Sequence, residues 1–283
     1  MGSMDFIRWT ADRPELDNPI LVLAFEGWND AGDAASNAAK HLRDRFGAEE
    51  FATVDPEPFY DFTSNRPMLR LESGARVIDW PENTFSAITG DNLPHDMIVM
   101  VGHEPQLKWR TYTEQIIAVA EEFDVDLVVT LGALIADVTH SRPTPVYASG
   151  HDPKLIADLD LEPSSYEGPT GIVGVIHEAL QSQGYGSISL WGTVPSYVPH
   201  ATSPKATLAL VNRLAQLLHL SIPTTALEIA AAAYERQIND LVDDDEDTKA
   251  YIAQLEEQHD SINPESGEEL IKELEQFLRD SNE

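Results

Sequence analysis

Ile20-Leu-Val-Leu-Ala-Phe25 is an unbroken apolar run. Such a run without polar alternation fits a strand covered on both faces, where every side chain meets an apolar neighbour. Glu26-Gly-Trp-Asn-Asp30 then turns the chain. Asp30 is expected to cap the next helix, its carboxylate accepting the free amide hydrogens of the first turn. Ala31, Ala35, Ala38, Leu42 and Phe46 follow at helical spacing, and a stripe made mostly of alanine lets a helix approach its neighbour closely.

The same alternation continues downstream. Met97-Ile-Val-Met-Val101 and Leu127-Val-Val-Thr-Leu131 read as further buried strands, and Ser187-Ile-Ser-Leu-Trp-Gly-Thr-Val194 as the last one. Three helices are expected with them. The first covers 111–123 and opens on a Thr111-x-x-Glu114 capping box. The second covers 171–183, with Ile172, Val173, Ile176 and Leu180 on one face. The third covers 204–219, with Pro204 in its first turn and Leu210, Leu214, Leu217 and Leu218 inward. Buried strands alternating with helices of about 12–16 residues predict an α/β fold with a mostly parallel sheet covered on both sides. Phe59-Tyr-Asp-Phe62, Met68-Leu-Arg-Leu71 and Val77-Ile-Asp-Trp80 read as short strands, expected to make part of that sheet antiparallel or mixed. Residues 143–166 read mostly as loop, with one short strand and a helical turn.

The composition shifts after Ile222-Pro223. Residues 224–283 hold 18 acids and 4 bases. The division expected is a core domain over 1–222 and an acidic helical extension over 223–283. A Thr225-x-x-Glu228 capping box opens the extension. Leu227, Ala231, Tyr234, Ile238 and Leu241 then alternate steps of four and three, and the phase continues to Ile252 and Leu255. Asp243-Asp-Asp-Glu-Asp247 interrupts it, so either one long helix crosses the acidic run or two helices meet there. A final helix is expected from Ser266, with Leu270, Leu274, Phe277 and Leu278. So narrow an apolar stripe needs a partner: the core, a neighbouring helix or a second subunit.

Charge and motifs exclude several functions. The 18 basic and 49 acidic residues give a net charge of −31. No broad face is expected to neutralise nucleic-acid phosphates or to dock on an anionic membrane. No apolar run approaches the roughly 18–20 residues of a membrane span, and no basic-then-apolar leader opens the chain. The absence of Cys removes disulfides, thiolate metal sites and Cys nucleophiles. A cytoplasmic protein is expected. There is no phosphate-loop motif, no G-x-S-x-G elbow, no H-E-x-x-H and no pair of His four residues apart. No metal, cofactor or catalytic residue is therefore assigned.

The polar residues that stand out follow the predicted strand ends. Glu26, Trp28, Asn29 and Asp30 follow the first strand and His103 and Glu104 the second. Gly132 and Asp137 follow the third, and Tyr197 and His200 the last. In an open parallel sheet those ends share one edge, where ligands bind. Each residue also has a plain structural reading: Trp28 plugs a helix base, Asp30 caps, His103 satisfies a turn. Gly168-Pro-Thr-Gly171-Ile-Val-Gly174 precedes a helix, whose exposed amides and dipole suit an anion, with Tyr166 and Thr170 flanking. Its spacing is not that of a dinucleotide loop, and a tight turn with close helix packing is the competing reading. Pro195-Ser-Tyr-Val-Pro-His-Ala201 is a stiff extended segment.

Gly27-Trp-Asn-Asp-Ala-Gly32, Gly168 to Gly174, and Pro195-Ser-Tyr197 to Pro204-Lys-Ala206 together resemble the motifs of the proteasome assembly chaperone 2 family, over about residues 6–222. The acidic tail resembles the extension of a bacterial branch. The resemblance implies a three-layer α/β/α sandwich similar to nucleoside phosphorylases, homo-oligomers with a trimer as the first expectation, and proteasome assembly or another protein-binding task. Archaeal relatives bind proteasomes through a C-terminal hydrophobic-Tyr-X tail. The sequence ends Arg279-Asp-Ser-Asn-Glu283, so that route is not expected here. Two functions follow. One is a non-enzymatic assembly or scaffolding protein that captures a protein partner. The other is a phosphorylase-like binder of nucleosides or nucleotides, or a hydrolytic enzyme, with a pocket joining Trp28, Asp30, His103 and the 168–171 turn.

Overall fold

The structure, a computed structural model, describes residues 4–90, 93–150, 153–158, 162–163, 167–243 and 245–261. In chain order the elements are β1 (Ile7–Trp9), β2 (Ile20–Glu26), α1 (Ala34–Phe46), β3 (Glu49–Val54), β4 (Met68–Glu72), β5 (Ala75–Asp79), β6 (Asn83–Ile88) and β7 (Met97–His103). There follow α2 (Trp109–Glu122), β8 (Leu127–Ala136), β9 (Val146–Gly150), α3 (Pro153–Asp158), β10 (Glu162–Pro163), α4 (Ile172–Ser182), β11 (Gly186–Pro195), α5 (Pro204–Leu217), α6 (Thr225–Val242) and α7 (Glu246–Ser261).

Nine strands form one mixed sheet in the order β1-β3-β6-β7-β2-β8-β11-β9-β10. The four buried runs lie side by side and parallel at its centre, with Ile20 opposite both Met97 and Leu127, and Gly186 opposite Leu127. Alternation along β2 shows why that run is wholly apolar. Ile20, Val22 and Ala24 pack into one core with α1 and α5. Leu21, Leu23 and Phe25 pack into the opposite core with α2 and α4. Three layers result, α/β/α. Of the stripe read for α1, Ala35, Ala38 and Leu42 are fully covered, as are Ala34 and Ala39 beside them, whereas Ala31 lies in the preceding 3-10 turn and it and Phe46 are partly exposed.

Several local expectations are corrected. Phe59-Tyr-Asp-Phe62 is a pair of turns, not a strand: the Asp61 carboxylate accepts from the Thr63 amide at 2.9 Å and from its hydroxyl at 2.6 Å, holding a compact turn. Phe59 and Tyr60 are apolar-looking because they fill the core under that turn. The 68–71 and 77–80 stretches do pair with each other, but as a separate ribbon (β4–β5) outside the large sheet. The antiparallel wing is built instead by β1, β3 and β6. Helix α2 begins at Trp109, two residues before the supposed capping box, so Thr111 lies inside it. In α6 the expected Thr225-x-x-Glu228 capping box does not form: Thr224 is the N-cap and its side chain caps no amide, its hydroxyl donating instead to the Glu228 carboxylate at 2.7 Å.

The acidic run breaks the tail into two helices, α6 and α7. Of the stripe, Ala231, Tyr234, Ile238, Ile252 and Leu255 are buried, whereas Leu241 is 67% exposed and Val242 takes its place. Tyr234, Ile238, Val242 and Ile252 pack on Val198, so the core itself partners this stripe. The helix expected from Ser266 lies outside the described residues.

Candidate functional site at the carboxyl ends of the parallel strands

The β2–β7 register makes Glu26 and His103 neighbours on the last rung. Glu26 Oε2 lies 3.0 Å from His103 Nδ1, and its Oε1 accepts from Lys40 Nζ of α1 at 2.5 Å. The His103 hydrogen bond, aided by Lys40, outweighs partial burial and holds the Glu26 carboxyl at about 2, well below its ordinary value. Glu26 therefore stays an anion and offers no proton near neutrality. Lys40 was missed in the sequence. Its only local signal is a single cation in an alanine-rich stretch.

Glu104 occupies the start of α4. Its Oε1 accepts from the Ile172 amide at 2.8 Å and from Asn29 Nδ2 at 2.9 Å. A side-chain carboxylate thus fills the position that an external anion takes at a helix N-terminus. The glycine-rich 168–174 segment is therefore a packing turn rather than an open phosphate cradle. Gly171 is required by close approach: a Cβ there would lie 2.6 Å from Asn29 Nδ2 and 2.8 Å from Glu104 Oε1. Thr170 is exposed beside it. Tyr166 lies outside the described residues.

Asp30 caps as the sequence suggested, across an intervening 3-10 turn: Oδ1 accepts from the Ala35 amide at 2.7 Å and the Ser36 amide at 3.1 Å. Burial pushes its carboxyl up, against these hydrogen bonds. The Asn29 carbonyl accepts the Ala133 amide of β8 at 2.8 Å, and the Gly32 carbonyl accepts the Ser203 amide at 2.8 Å. Trp28 immediately precedes these fixed points and is 53% exposed. It does not plug the helix base.

Tyr197 belongs to a second cluster. Its hydroxyl accepts from the His140 amide at 2.8 Å and lies 2.6 Å from His140 Nδ1, whose Nε2 is 3.0 Å from Asn239 Oδ1 of α6. This arrangement fits a ring protonated at Nε2, with Nδ1 accepting from Tyr197. Burial pushes the Tyr197 phenol up to about 12. Lys205 bonds the His140 carbonyl at 2.5 Å and pairs with Glu235 of α6. Tyr251 of α7 donates to Asp137 at 2.7 Å, and Arg142 grips Asp260 through two hydrogen bonds, at 2.8 and 2.7 Å. The ends of β8 and β11 are thus taken up in docking the tail. His200 is exposed and joins neither cluster.

The edge therefore splits. Glu26, Asn29, His103, Glu104 and Gly171 come together; Tyr197 holds α6. An open groove of about 510 Å³ lies away from the Glu26–Glu104 cluster and borders the second one through Lys205; Pro143, Val146, Leu208 and Arg213 are among its other lining residues. Among the described residues no group of three or more His, Asp or Glu is placed to hold a metal, and no helix is long and apolar enough to cross a membrane.

Gly27–Gly32, Gly168–Gly174 and the segment ending at Ala206 thus converge through Asn29, Gly171 and Ser203. A family model described as the PAC2 family matches residues 24–242, which contain all three segments. The chain belongs to the PAC2 family. Among solved structures, a PAC2 family protein from Streptomyces avermitilis is 45% identical, with a TM-score of 0.78 over 83% of this chain and 99% of that one. A proteasome-assembly chaperone homologue from Mycobacterium tuberculosis is 38% identical, with a TM-score of 0.75 over 82% and 99%. A protein of unknown function from Corynebacterium glutamicum is 25% identical, with a TM-score of 0.81 over 90% and 97%. No curated protein matches the chain. The PAC2 match ends at Val242, the last residue of α6, so it takes in the helix that Tyr197, His140 and Lys205 hold.

Proposed function

We propose that this PAC2 protein is a cytoplasmic, non-enzymatic assembly chaperone or scaffold that works as a homo-oligomer and captures a protein partner, of the proteasome or its precursors, at the edge around Trp28. One observation carries the reading. The carboxylates at that edge are tied down: Glu26 by Lys40 and His103, and Glu104 by hydrogen bonds from Asn29 and an α4 amide. Beside them the Trp28 indole faces solvent next to a backbone fixed at Asn29 and Gly32, with the half-exposed Leu107 another apolar group just beyond Glu104 in sequence. Exposed aromatic anchors on rigid frames are the usual energetic centres of protein interfaces. The 38% identical chaperone homologue supports the choice of partner class.

The test is binding of the full chain to purified proteasome subunits from the same source. Wild type should bind, and Trp28→Ala should weaken binding at least tenfold while the fold is kept. Absence of binding to every subunit and precursor overturns the partner assignment.

A second reading, a small-molecule binder or hydrolase of the phosphorylase type, draws on His103 alone. Its side chain is 39% exposed while Nδ1 is anchored by Glu26, the arrangement of an oriented base. Millimolar nucleosides, nucleotides or phosphate should then raise the melting temperature, and no shift with any of them removes this reading.

A further inference from the structure

Helix α7 lies over the ends of β8 and β11, on the half of the strand-end edge away from Trp28, and it is held there differently from α6. Four side chains of α6 are buried, Ala231, Tyr234, Ile238 and Val242, and its Glu235 and Asn239 are tied to Lys205 and His140. Helix α7, of nearly equal length, buries Ile252 and Leu255 alone. The rest of its hold is polar and superficial. Arg142, in the loop after β8, hydrogen-bonds the Asp260 carboxylate at 2.8 and 2.7 Å and lies 3.5 Å from Glu256, one turn earlier. The Ser141 hydroxyl also donates to Glu256. Tyr251 donates to Asp137 at 2.7 Å, and Ser196 donates to the same oxygen at 2.9 Å.

Charge makes Arg142 the latch. Helix α7 carries Glu246, Asp247, Glu256, Glu257 and Asp260 against Lys249, in a chain of net charge −31. Acidic parts of so acidic a chain repel one another, and Arg142 supplies the attraction on the core side. Its hydrogen bonds hold the Asp260 carboxyl at about 2, well below the ordinary value, so this partner stays an anion. The three side chains are 32% (Arg142), 32% (Glu256) and 55% (Asp260) exposed, and ion pairs so exposed weaken as salt rises. The helix is also built to come away whole. Asp245 caps its start, Oδ1 accepting the Asp247 and Thr248 amides at 3.1 and 3.3 Å, so the first turn needs nothing from the core. The PAC2 match stops at Val242, before α7 begins.

We propose that α7 is a strap: latched by Arg142, it closes over the ends of β8 and β11, and it swings away from α6 as a unit when the latch is released. Opening uncovers Asp137, Ser196 and the Tyr197 ring, which Tyr251 meets edge-on at 6.3 Å. Half of the strand-end edge is thus exposed in the open state alone, whereas Trp28 is exposed with the strap in place. The strap goes beyond the partner capture proposed above and does not depend on it.

Hydrogen exchange of the full chain tests it, at ionic strengths from about 0.01 to about 1 M, across which the Debye length falls from about 30 to about 3 Å. Wild type is compared with Arg142→Ala and with Arg45→Ala, which removes an exposed cation from the last turn of α1. In wild type the amides of α7 should be protected at low salt and exchange at least fivefold faster at high salt, while those of α2 and α6 stay protected. R142A should show the faster α7 exchange already at low salt, and R45A should behave as wild type. A second readout uses the absence of Cys: the single thiol of Ser196→Cys should react with a thiol reagent faster as salt rises, and fast at low salt once Arg142→Ala is added. Loss of protection in α6 together with α7 would make the two one unit and overturn the strap. Exchange and thiol reactivity that ignore both salt and Arg142→Ala, whether fast or slow throughout, exclude the latch.

Discussion

Glu104 Oε1 accepts the Ile172 amide at 2.8 Å, across the gap between the end of β7 and the start of α4. A strand from one region of the sequence thus caps a helix from another, and the carboxylate stands where a bound anion would. Removing it leaves an orphan amide and an uncompensated dipole end. Glu104→Ala should lower stability by about 1–2 kcal/mol in denaturant unfolding. The same variant should gain measurable sulfate or phosphate binding that wild type lacks, read by calorimetry.

Gly171 tolerates no side chain. In Gly171→Ala the new methyl would press on Asn29 and Glu104 side-chain atoms. A loss of about 1–3 kcal/mol is expected from this overpacking. Because the clash is with side chains rather than backbone, adding Asn29→Ala should recover part of the loss, a coupling that thermal melts of the double-mutant cycle would reveal.

Glu26 predicts a pH dependence with a definite sign. Its folded pKa, about 2, lies below its ordinary value of 4.5, so the unfolded state binds the proton more readily. The stabilisation it gives is complete above about pH 4.5 and is lost as pH falls toward 2. A shift of this size corresponds to at most on the order of 3 kcal/mol. Glu26→Gln should be less stable than wild type at neutral pH, and the gap should close on acidification. A gap independent of pH would remove the His103–Lys40 account of this carboxylate.

Tyr197→Phe deletes the hydroxyl that links His140 to the loop after β11. A cost of about 1–2 kcal/mol is expected. The specific readout is hydrogen exchange: amides of α6 should lose protection more than those of α2, which has no part in this network.

Much of the architecture is legible because it is written locally. The four apolar runs and the Asp30 cap each depend on a few consecutive residues, whereas the acidic run left one helix or two equally open until α6 and α7 separated. Phe59–Phe62 misleads because β propensity and core burial draw on the same residue types, and a side chain two positions on, Asp61 to Thr63, settles the turn. The site was legible in part. Strand-end position brings Glu26, His103 and Glu104 together, since parallel register carries that information. The role of Tyr197 was not legible: its cluster joins His140 to Asn239, 99 residues apart, and no spacing rule reports such a contact.

The place of β2 at the middle of the sheet bears on how the protein is made. Ile20–Phe25 leaves the ribosome early, but its two flanking strands begin at Met97 and Leu127. At translation speeds of about 5–20 residues per second, this most greasy segment of the nascent chain waits roughly 5–20 s for its neighbours. During that interval it is a natural target for the cell's folding helpers, so a protein proposed to assist the assembly of others begins its own life in need of an escort.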